Sequence, residues 1–360
     1  MFAAQPRGVG KALRELIDHC LPVVHDWGVT LYTDRRGSLD FPPPARIKQI
    51  DIRGNRINAW ERIRLPIAAT VDGIDLLHCP SQTAPPVTPC PVVLTVHDII
   101  PLRMDDGWSR SAVQRFRKAL ARSVGKARRI IAVSEFTRHD LLDEFRLDEG
   151  KIDVIHWGVH TKPHQAIPEE DWEVLCETTG LRPPFFVAFG GDSPRKNVAR
   201  VLKAMSIFTR HVDRDGQLAL IGVTSSMRDK IEAMANELEI SRNVICLGYL
   251  PDRTVSYMLG RSEAVIYASL YEGFGLPILE AMSVGAPVIT SNATSMPEIA
   301  GDAAILVDPH DVGAIAEAMR ECYLNESVKG ELRARGCHRH ECFTWERAAR
   351  QTLAVYQKAL

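Results

Sequence analysis

The chain has 360 residues, with 44 Lys and Arg against 45 Asp and Glu, so a net charge of −1 removes any global electrostatic reason to bind nucleic acid. Hydrophobic content of 45% with 25% charge is ordinary for a soluble globular protein, and this length predicts two domains of roughly 150–200 residues each. No apolar run approaches the roughly 18 residues needed to cross a bilayer, nothing resembles a signal peptide, and the eight cysteines show no paired framework; the expected location is therefore cytoplasmic.

The chain starts with "QPRGVGKALREL", a glycine turn opening a helix without the strand that should feed it. Either the chain is cut upstream or its first sheet lacks that strand. Gly8 and Gly10 fit a phosphate-facing loop and a simple helix-entry turn equally well. Strands are then predicted at "VTLYT", "IDLLHC", "VVLTVHD", "RIIAVS" and "KIDVIHW".

Within this half, "WSRSAVQRFRKALARSVGKARR" puts Val113, Phe116, Leu120, Val124 and Ala127 at helical spacing. Arg110, Arg115, Arg117, Lys118, Arg122, Lys126, Arg128 and Arg129 crowd the remainder. Such a helix can lie on anionic lipid, or it can pack its apolar stripe on a sheet and leave a solvated basic face. The sequence leaves both open.

A proline-punctuated stretch without a strand, "GVHTKPHQAIPEEDWEVLCETTGLRPP", is the best domain boundary. Beyond it come "FFVAFGG", "LALIG", "NVICLGYL", "AVIYAS", "PVITS" and "AAILVD", with helical patterns between most of them. Apolar strands separated by helices imply parallel sheets covered on both faces.

Two motifs in the second half carry chemistry. In "FGGDSPRKNVARVLKA" a strand ends at Gly190 and Gly191, and Arg195 and Lys196 arrive just before a helix. Paired cations at a helix entrance can neutralise a diphosphate without a metal. In "YEGFGLPILEAMSVGAPV" Glu272 lies in a loop after a strand and Glu280 about one turn into the next helix. Gly273 and Gly275 let backbone amides approach a ligand, and the helix N-terminus favours an anion. A nucleotide sugar, with a phosphate between carboxylates that accept from hydroxyls, suits this geometry.

Other candidates are weaker. The only D-x-D, Asp213 and Asp215 in "VDRDGQ", reads as a surface turn, so no essential metal is expected. "CHRHEC", with Cys337, His338, His340 and Cys342, is too short for four ligands to surround one zinc ion easily.

Together, "EGFGLPILE", "GGDSPRKN", "LGYLPD", "TSNATSMPEIAGDAAILVDP" and "FTWERAARQTLAVY" make the chain resemble, over essentially its whole length, the retaining family 4 glycosyltransferases of the GT-B fold. That resemblance implies an α/β protein of two Rossmann-like domains facing each other across a cleft. Residues 1–160 would form an acceptor-side domain and 161–343 the nucleotide-sugar domain, with a last helix over 344–360 packing back on the first.

The resemblance further implies that Arg195 and Lys196 grip the donor diphosphate, with Gly191 beside them and the Gly8–Gly10 loop facing the phosphates. Glu272 and the backbone of Gly273, Phe274, Gly275 and Leu276 would hold the donor sugar, Glu280 the ribose, and the backbone near Tyr249 and Leu250 the base. His97, in "TVHDI", would lie against the donor sugar and reaction centre; Asp98 is the weaker candidate of the two.

The expected reaction is transfer of a hexose, mannose or a related sugar, with retention and without a metal or other cofactor. The acceptor would be a glycan or polyprenyl-linked molecule in cell-surface polysaccharide assembly, with possible peripheral contact to an anionic inner membrane face. A GDP-sugar is favoured over a UDP-sugar on family likeness alone. A nucleotide-sugar epimerase of the same fold, or a sugar-nucleotide-binding protein without turnover, are the competing readings.

Overall fold

The computed structural model describes residues 8–24, 27–33, 47–51, 60–159, 167–191 and 193–360, and the segment before Gly8, where the sequence shows no strand to feed the first helix, lies outside them. The chain divides into two compact units. One comprises residues up to 104, then 108–158 and 344–360; the other comprises 105–107 and 159–343.

The first unit holds six described strands: β1 (Val29–Thr33), β2 (Ile47–Asp51), β3 (Leu77–Cys79), β4 (Val92–Val96), β5 (Arg129–Ala132) and β6 (Ile152–Val154). β1 and β2 pair in parallel as a two-stranded sheet, with Val29 opposite Ile47. β3 to β6 form a four-stranded parallel sheet in sequential order. β2, "IKQID", was missed by the sequence reading because a short segment with two charges and a glutamine carries no apolar run.

Every side chain of β4 is buried, as expected for a strand covered on both faces. Leu94, Val96, Ile130 and Ala132 pack with Leu120, Val124 and Ala127 in one core. The apolar stripe of the basic helix Arg110–Lys126 therefore faces the protein interior, so any contact with lipid would fall to its basic face. Its solvent face is rich in cations: Arg110, Arg115, Arg117, Lys118, Arg122 and Lys126 are all exposed.

The last helix, Trp345–Ala359, packs on helix Val9–Cys20 and on β4 and β5, so the C-terminus completes the first unit. His78 receives it: its Nδ1 lies 2.6 Å from the Tyr356 hydroxyl and its Nε2 2.8 Å from Thr95 Oγ1. Lys358 donates to Asp153, which also takes Arg129.

The second unit holds β7 (Phe185–Phe189), β8 (Gln217–Ile221), β9 (Val244–Leu247), β10 (Val265–Tyr267), β11 (Val288–Ser291) and β12 (Ile305–Val307). All are parallel, in the order β12-β11-β10-β7-β8-β9. The chain winds outward one way from β7 to β9, then returns to β10 and winds the other way. β7 and β10 are thus neighbours at the reversal of strand order, where doubly wound sheets open a crevice for a ligand. Phe186, Met205, Phe208, Leu218, Ile289 and Met319 fill the core of this unit.

One glycine in the first unit is fixed by close approach. A Cβ on Gly158 would sit 2.2 Å from the backbone nitrogen of Trp345 and 2.6 Å from the Thr344 carbonyl carbon, and neither can yield. Gly158→Ala is therefore expected to destabilise the protein by about 1–3 kcal/mol through overpacking. Gly330→Ala, at an exposed helical position with open space around it, should be neutral or stabilising by up to about 1 kcal/mol. Thermal unfolding of both variants checks the contrast; equal melting temperatures would show that the Gly158 contact is easily relieved.

Candidate active site

The site grows from the ends of β7 and β10. After β7 the chain passes Gly190, where a Cβ would meet Val223 Cγ2 at 2.9 Å, and Gly191 at φ 152°, a region only glycine adopts readily. A single turn of 3₁₀-helix, Pro194–Lys196, then presents the two cations before helix Val198–His211 begins.

Asn197 holds this turn in place. It adopts a left-handed conformation at φ 59° and is almost wholly buried. Its Nδ2 donates to the carbonyl of Ala268 at 2.9 Å and of Pro309 at 2.7 Å, while its Oδ1 accepts from Arg200 at 3.0 Å. The amide of Leu270 donates to the Arg195 carbonyl at 2.7 Å. The cation turn is thereby tied directly to the exits of β10 and β12.

After β10 the chain reaches Glu272, only 8% exposed. Its Oε1 accepts from Lys196 Nζ at 2.8 Å and forms an ion pair with Arg195 Nη1. Lys196 also donates to the Tyr267 hydroxyl at 2.9 Å and lies 4.7 Å from the centre of that ring. One carboxylate is therefore shared by two cations, with a buried phenol beside them.

The electrostatics follow from burial and pairing. Burial alone would raise the Glu272 carboxyl, but Lys196 and then Arg195 overcome it and hold the group below the usual carboxylate range. Burial lowers the Lys196 ammonium, an effect that Glu272 opposes and Arg195 reinforces. The two directions disagree about the pair, because pairing by itself would raise the lysine. The contacts of Lys196, a carboxylate and a phenol oxygen, are those of an ammonium, and we take the pair as ionised. Burial, then Glu272, drives the Tyr267 phenol well above its ordinary value.

The loop that carries Glu272 is fixed from below. The Glu272 amide donates to Thr294 Oγ1 at 3.2 Å, and Ser295 Oγ, fully buried, lies 2.9 Å from the Glu272 carbonyl and 2.8 Å from that of Phe274. Thr294 is held at φ 57°, an unfavourable conformation for a β-branched residue. Gly275, at φ 108°, turns the chain into helix Leu276–Ser283. Glu280 is half-buried on the second turn of that helix. Tyr249, exposed, and Leu250, half-buried, follow β9 at the same carboxyl edge of the sheet.

Sequence reasoning found Arg195, Lys196 and Glu272, and the structure brings them together. It missed Tyr267, Asn197, Thr294 and Ser295. Tyr267 was visible as the last residue of a strand just ahead of the glutamate loop, but an aromatic there reads as core. Nothing in "NATSMPE" signals that two hydroxyls brace a loop twenty residues upstream.

The remaining candidates lie elsewhere. Asp213 accepts from the Tyr323 hydroxyl at 2.6 Å and from the Asp215 amide at 2.9 Å, and Asp215 pairs with Arg242 at 3.5 Å; both carboxylates serve a surface turn. Cys337, His338 and Cys342 are exposed while His340 is buried, and among the described residues no group of three or more His, Cys, Asp or Glu converges as a metal site would.

In the first unit, helix Val9–Cys20 begins at once after Gly8, whose φ is 50°. Gly10 therefore lies inside the helix rather than in a loop, which shortens the expected phosphate-facing turn to Gly8. His97 follows β4, 8% exposed. Its Nε2 donates to the Pro80 carbonyl at 2.6 Å, which leaves Nδ1 as an acceptor without a hydrogen-bond partner. Its ring lies 4.9 Å from Trp157. Together with His78, Thr95, Leu16, Trp157 and Thr352 it lines a small pocket. Asp98, by contrast, accepts from the Ile100 amide at 3.2 Å and serves a short helix.

The chain matches two family models, Glycosyltransferase Family 4 over residues 6–162 and Glycosyl transferases group 1 over 178–337. It is 31% identical over 265 residues to O-antigen chain mannosyltransferase B of Escherichia coli, covering 74% of this chain and 70% of that protein. The chain belongs to the family 4 glycosyltransferases. It is also 30% identical over 285 residues to an MMP alpha-(1->4)-mannosyltransferase of Mycolicibacterium hassiacum, of whose length it spans 66%.

Among solved structures, the Anabaena protein HepE in complex with UDP-glucose superposes with a TM-score of 0.79 at 16% identity, over 99% of this chain and 98% of that one. WaaG, a glycosyltransferase involved in lipopolysaccharide biosynthesis, does so with a TM-score of 0.76 at 17% identity, over 99% and 98%. These likenesses establish the GT-B fold, to which the two parallel α/β units conform.

The two buried imidazoles of this family 4 glycosyltransferase make its first unit sensitive to acid. Burial lowers His97 to about 4, partly offset by the Pro80 carbonyl. It lowers His78 to about 4 as well, with His97 adding to the shift. Both folded values lie below the unfolded value near 6.5, so between pH 6.5 and 4 the unfolded chain binds protons that the native one refuses. Stability should therefore fall as pH drops through that window. In His78→Gln the fall should be shallower, as urea unfolding at pH 7 and pH 5 would show. An identical pH dependence in the variant would mean that His78 is not held neutral.

Proposed function

We propose that this glycosyltransferase transfers mannose, or a closely related hexose, from a nucleoside diphosphate sugar to a glycan or polyprenyl-linked acceptor in cell-surface polysaccharide assembly, with retention and without a metal. The observation that carries the reading is the Arg195–Lys196–Glu272 cluster at the reversal of strand order in the second unit.

As the glycosidic bond breaks, negative charge accumulates on the leaving diphosphate. Two cations on a turn pinned by Asn197, with the N-terminus of helix Leu276–Ser283 as a further dipole, suit that charge without reorganisation. Glu272 and the loop amides from Gly273 to Gly275 would take the sugar, Glu280 the ribose, and the turn at Tyr249 and Leu250 the base. No described carboxylate in the second unit reads as a free nucleophile, which favours displacement on one face with the leaving phosphate as base. His97, neutral with Nδ1 as acceptor, is suited to a sugar hydroxyl. Mannose is favoured by the names of the relatives, and GDP is proposed as the base; HepE, a more distant neighbour, was solved with UDP-glucose.

Transfer should persist in a metal chelator and fall on the order of 100-fold in Lys196→Met, as expected when one preorganised charge contact is lost. A panel of GDP- and UDP-sugars assayed for acceptor-dependent nucleotide release, with product anomeric configuration read by NMR, tests donor and stereochemistry together. Activity abolished by chelator and restored by Mg²⁺ or Mn²⁺ would overturn the metal-free reading.

A lipid-linked acceptor requires the protein to meet a membrane, although no described helix is long and apolar enough to cross one. The helix Arg110–Lys126 offers its cations. Apolar contact comes from Ile63, Ile67 and Val71, which are 58%, 58% and 80% exposed at helical spacing. The loop between these segments joins them: Thr83 donates to Glu61, the Ala84 amide to Ser123, and Lys126 to the Pro86 carbonyl. Binding to anionic vesicles should weaken with salt, because the attraction is screened within about 10 Å at 0.1 M. Ile67→Asn should weaken binding at every salt concentration. Sedimentation with vesicles checks both, and absence of binding at low salt removes the membrane from the proposal.

A further inference from the structure

Resting on the reading that this site holds the donor diphosphate, we infer that Glu272 has two successive roles. It is the counter-ion of Arg195 and Lys196 while the site is empty, and an acceptor for the donor's sugar once the diphosphate has taken those cations from it.

The geometry compels an exchange. A single oxygen of Glu272 touches both cations, so the carboxylate occupies the place between them that a phosphate oxygen would need. The turn bearing the cations is pinned by Asn197 and by the Leu270 amide, and the Glu272 backbone is pinned by Thr294 and Ser295. Both backbones are tethered by these hydrogen bonds, so the accommodation falls to the Glu272 side chain.

Two adjacent cations, each with a side chain about one-fifth exposed, repel one another and need an anion. In the empty site Glu272 supplies it and keeps both charged and extended. A diphosphate carries more charge and displaces it. Glu272 is then a buried carboxylate that has lost both cations and keeps only the Tyr267 hydroxyl, which is costly unless new donors arrive.

The hydroxyls of the transferred sugar are such donors; a nucleoside diphosphate lacking that sugar brings none to Glu272, its ribose hydroxyls being assigned to Glu280. The exchange is therefore compensated for the intact nucleotide sugar and uncompensated for the spent nucleotide. The same side chain that orients the sugar would thus favour release of the product.

The test is calorimetric titration of UDP, GDP and the intact nucleotide sugars into wild type, Glu272→Gln and Lys196→Met. The amide keeps the shape of Glu272 without its charge. Glu272→Gln is expected to bind the bare nucleoside diphosphate about tenfold tighter than wild type does, while its transfer rate collapses. The preference of wild type for nucleotide sugar over bare nucleotide should shrink in the same variant. Lys196→Met should bind both ligands more weakly, and in its background the gain from Glu272→Gln should diminish, since the two substitutions act on one contact.

Should Glu272→Gln fold poorly by thermal melting, Glu272→Asp serves instead. Its shorter carboxylate cannot span both cations, and a gain of the same sign but smaller size is expected. Unchanged or weaker nucleotide binding in the folded variants would overturn this inference while leaving the donor site intact. Failure of wild type to bind any nucleoside diphosphate would instead remove the donor-site reading itself, and the inference with it.

Discussion

The second unit is organised around one electrostatic constraint: a buried carboxylate and two half-buried cations that neutralise one another. Glu272 leaves one strand and Arg195 and Lys196 follow another, 76 residues of sequence apart at the closest contact. They meet only because β10 pairs with β7 rather than with β9, its predecessor in the chain. The reversal of strand order is thus the topological condition for the charge cluster, and the cluster is what gives the crevice its chemistry.

Everything around it serves to keep the geometry fixed. Gly190 and Gly191 let the chain turn where a side chain would collide or strain, and Asn197 accepts a left-handed conformation so that its amide can reach two strand exits at once. Thr294 and Ser295 brace the facing loop from beneath. Arg339 supports that brace in turn, donating to the carbonyl of Ile299 at 2.9 Å behind the short helix Met296–Ala300 and lying 4.9 Å from the Phe343 ring. Phe343 meets Phe274 of the glutamate loop edge-on at 6.2 Å. Position is carried from the rigid helices to the loop by hydrogen bonds and packing, so the charged side chains need not be ordered by the ligand.

The readability of the sequence varied with the kind of signal. Strands such as "VVLTV" and "FFVAF" announced themselves because burial on both faces demands an unbroken apolar run. "IKQID" carried no such run. Arg195 and Lys196 alone would read as an ordinary solvated pair, and they stood out only together with Glu272, since both motifs follow strand ends beside glycines. Tyr267 and Ser295 did not, since an aromatic in a strand and a serine before a helix are common for ordinary reasons. The basic helix was ambiguous for a related cause: its apolar stripe suits lipid and a sheet equally, and only the packing of Leu120, Val124 and Ala127 shows that the stripe itself lies on the core.

The sequence by itself determined the class of fold and the family, since alternation of apolar strands with helices and short ordered motifs are local properties that survive without coordinates. It also determined which residues carry charge at the strand ends. Only the tertiary structure decided that those charges pair with one another, that the last helix completes the first unit, and that burial lowers the imidazoles of His97 and His78. Each of these depends on burial and on partners distant in the chain, and the free energy of a charge is set by the groups around it rather than by its neighbours in sequence.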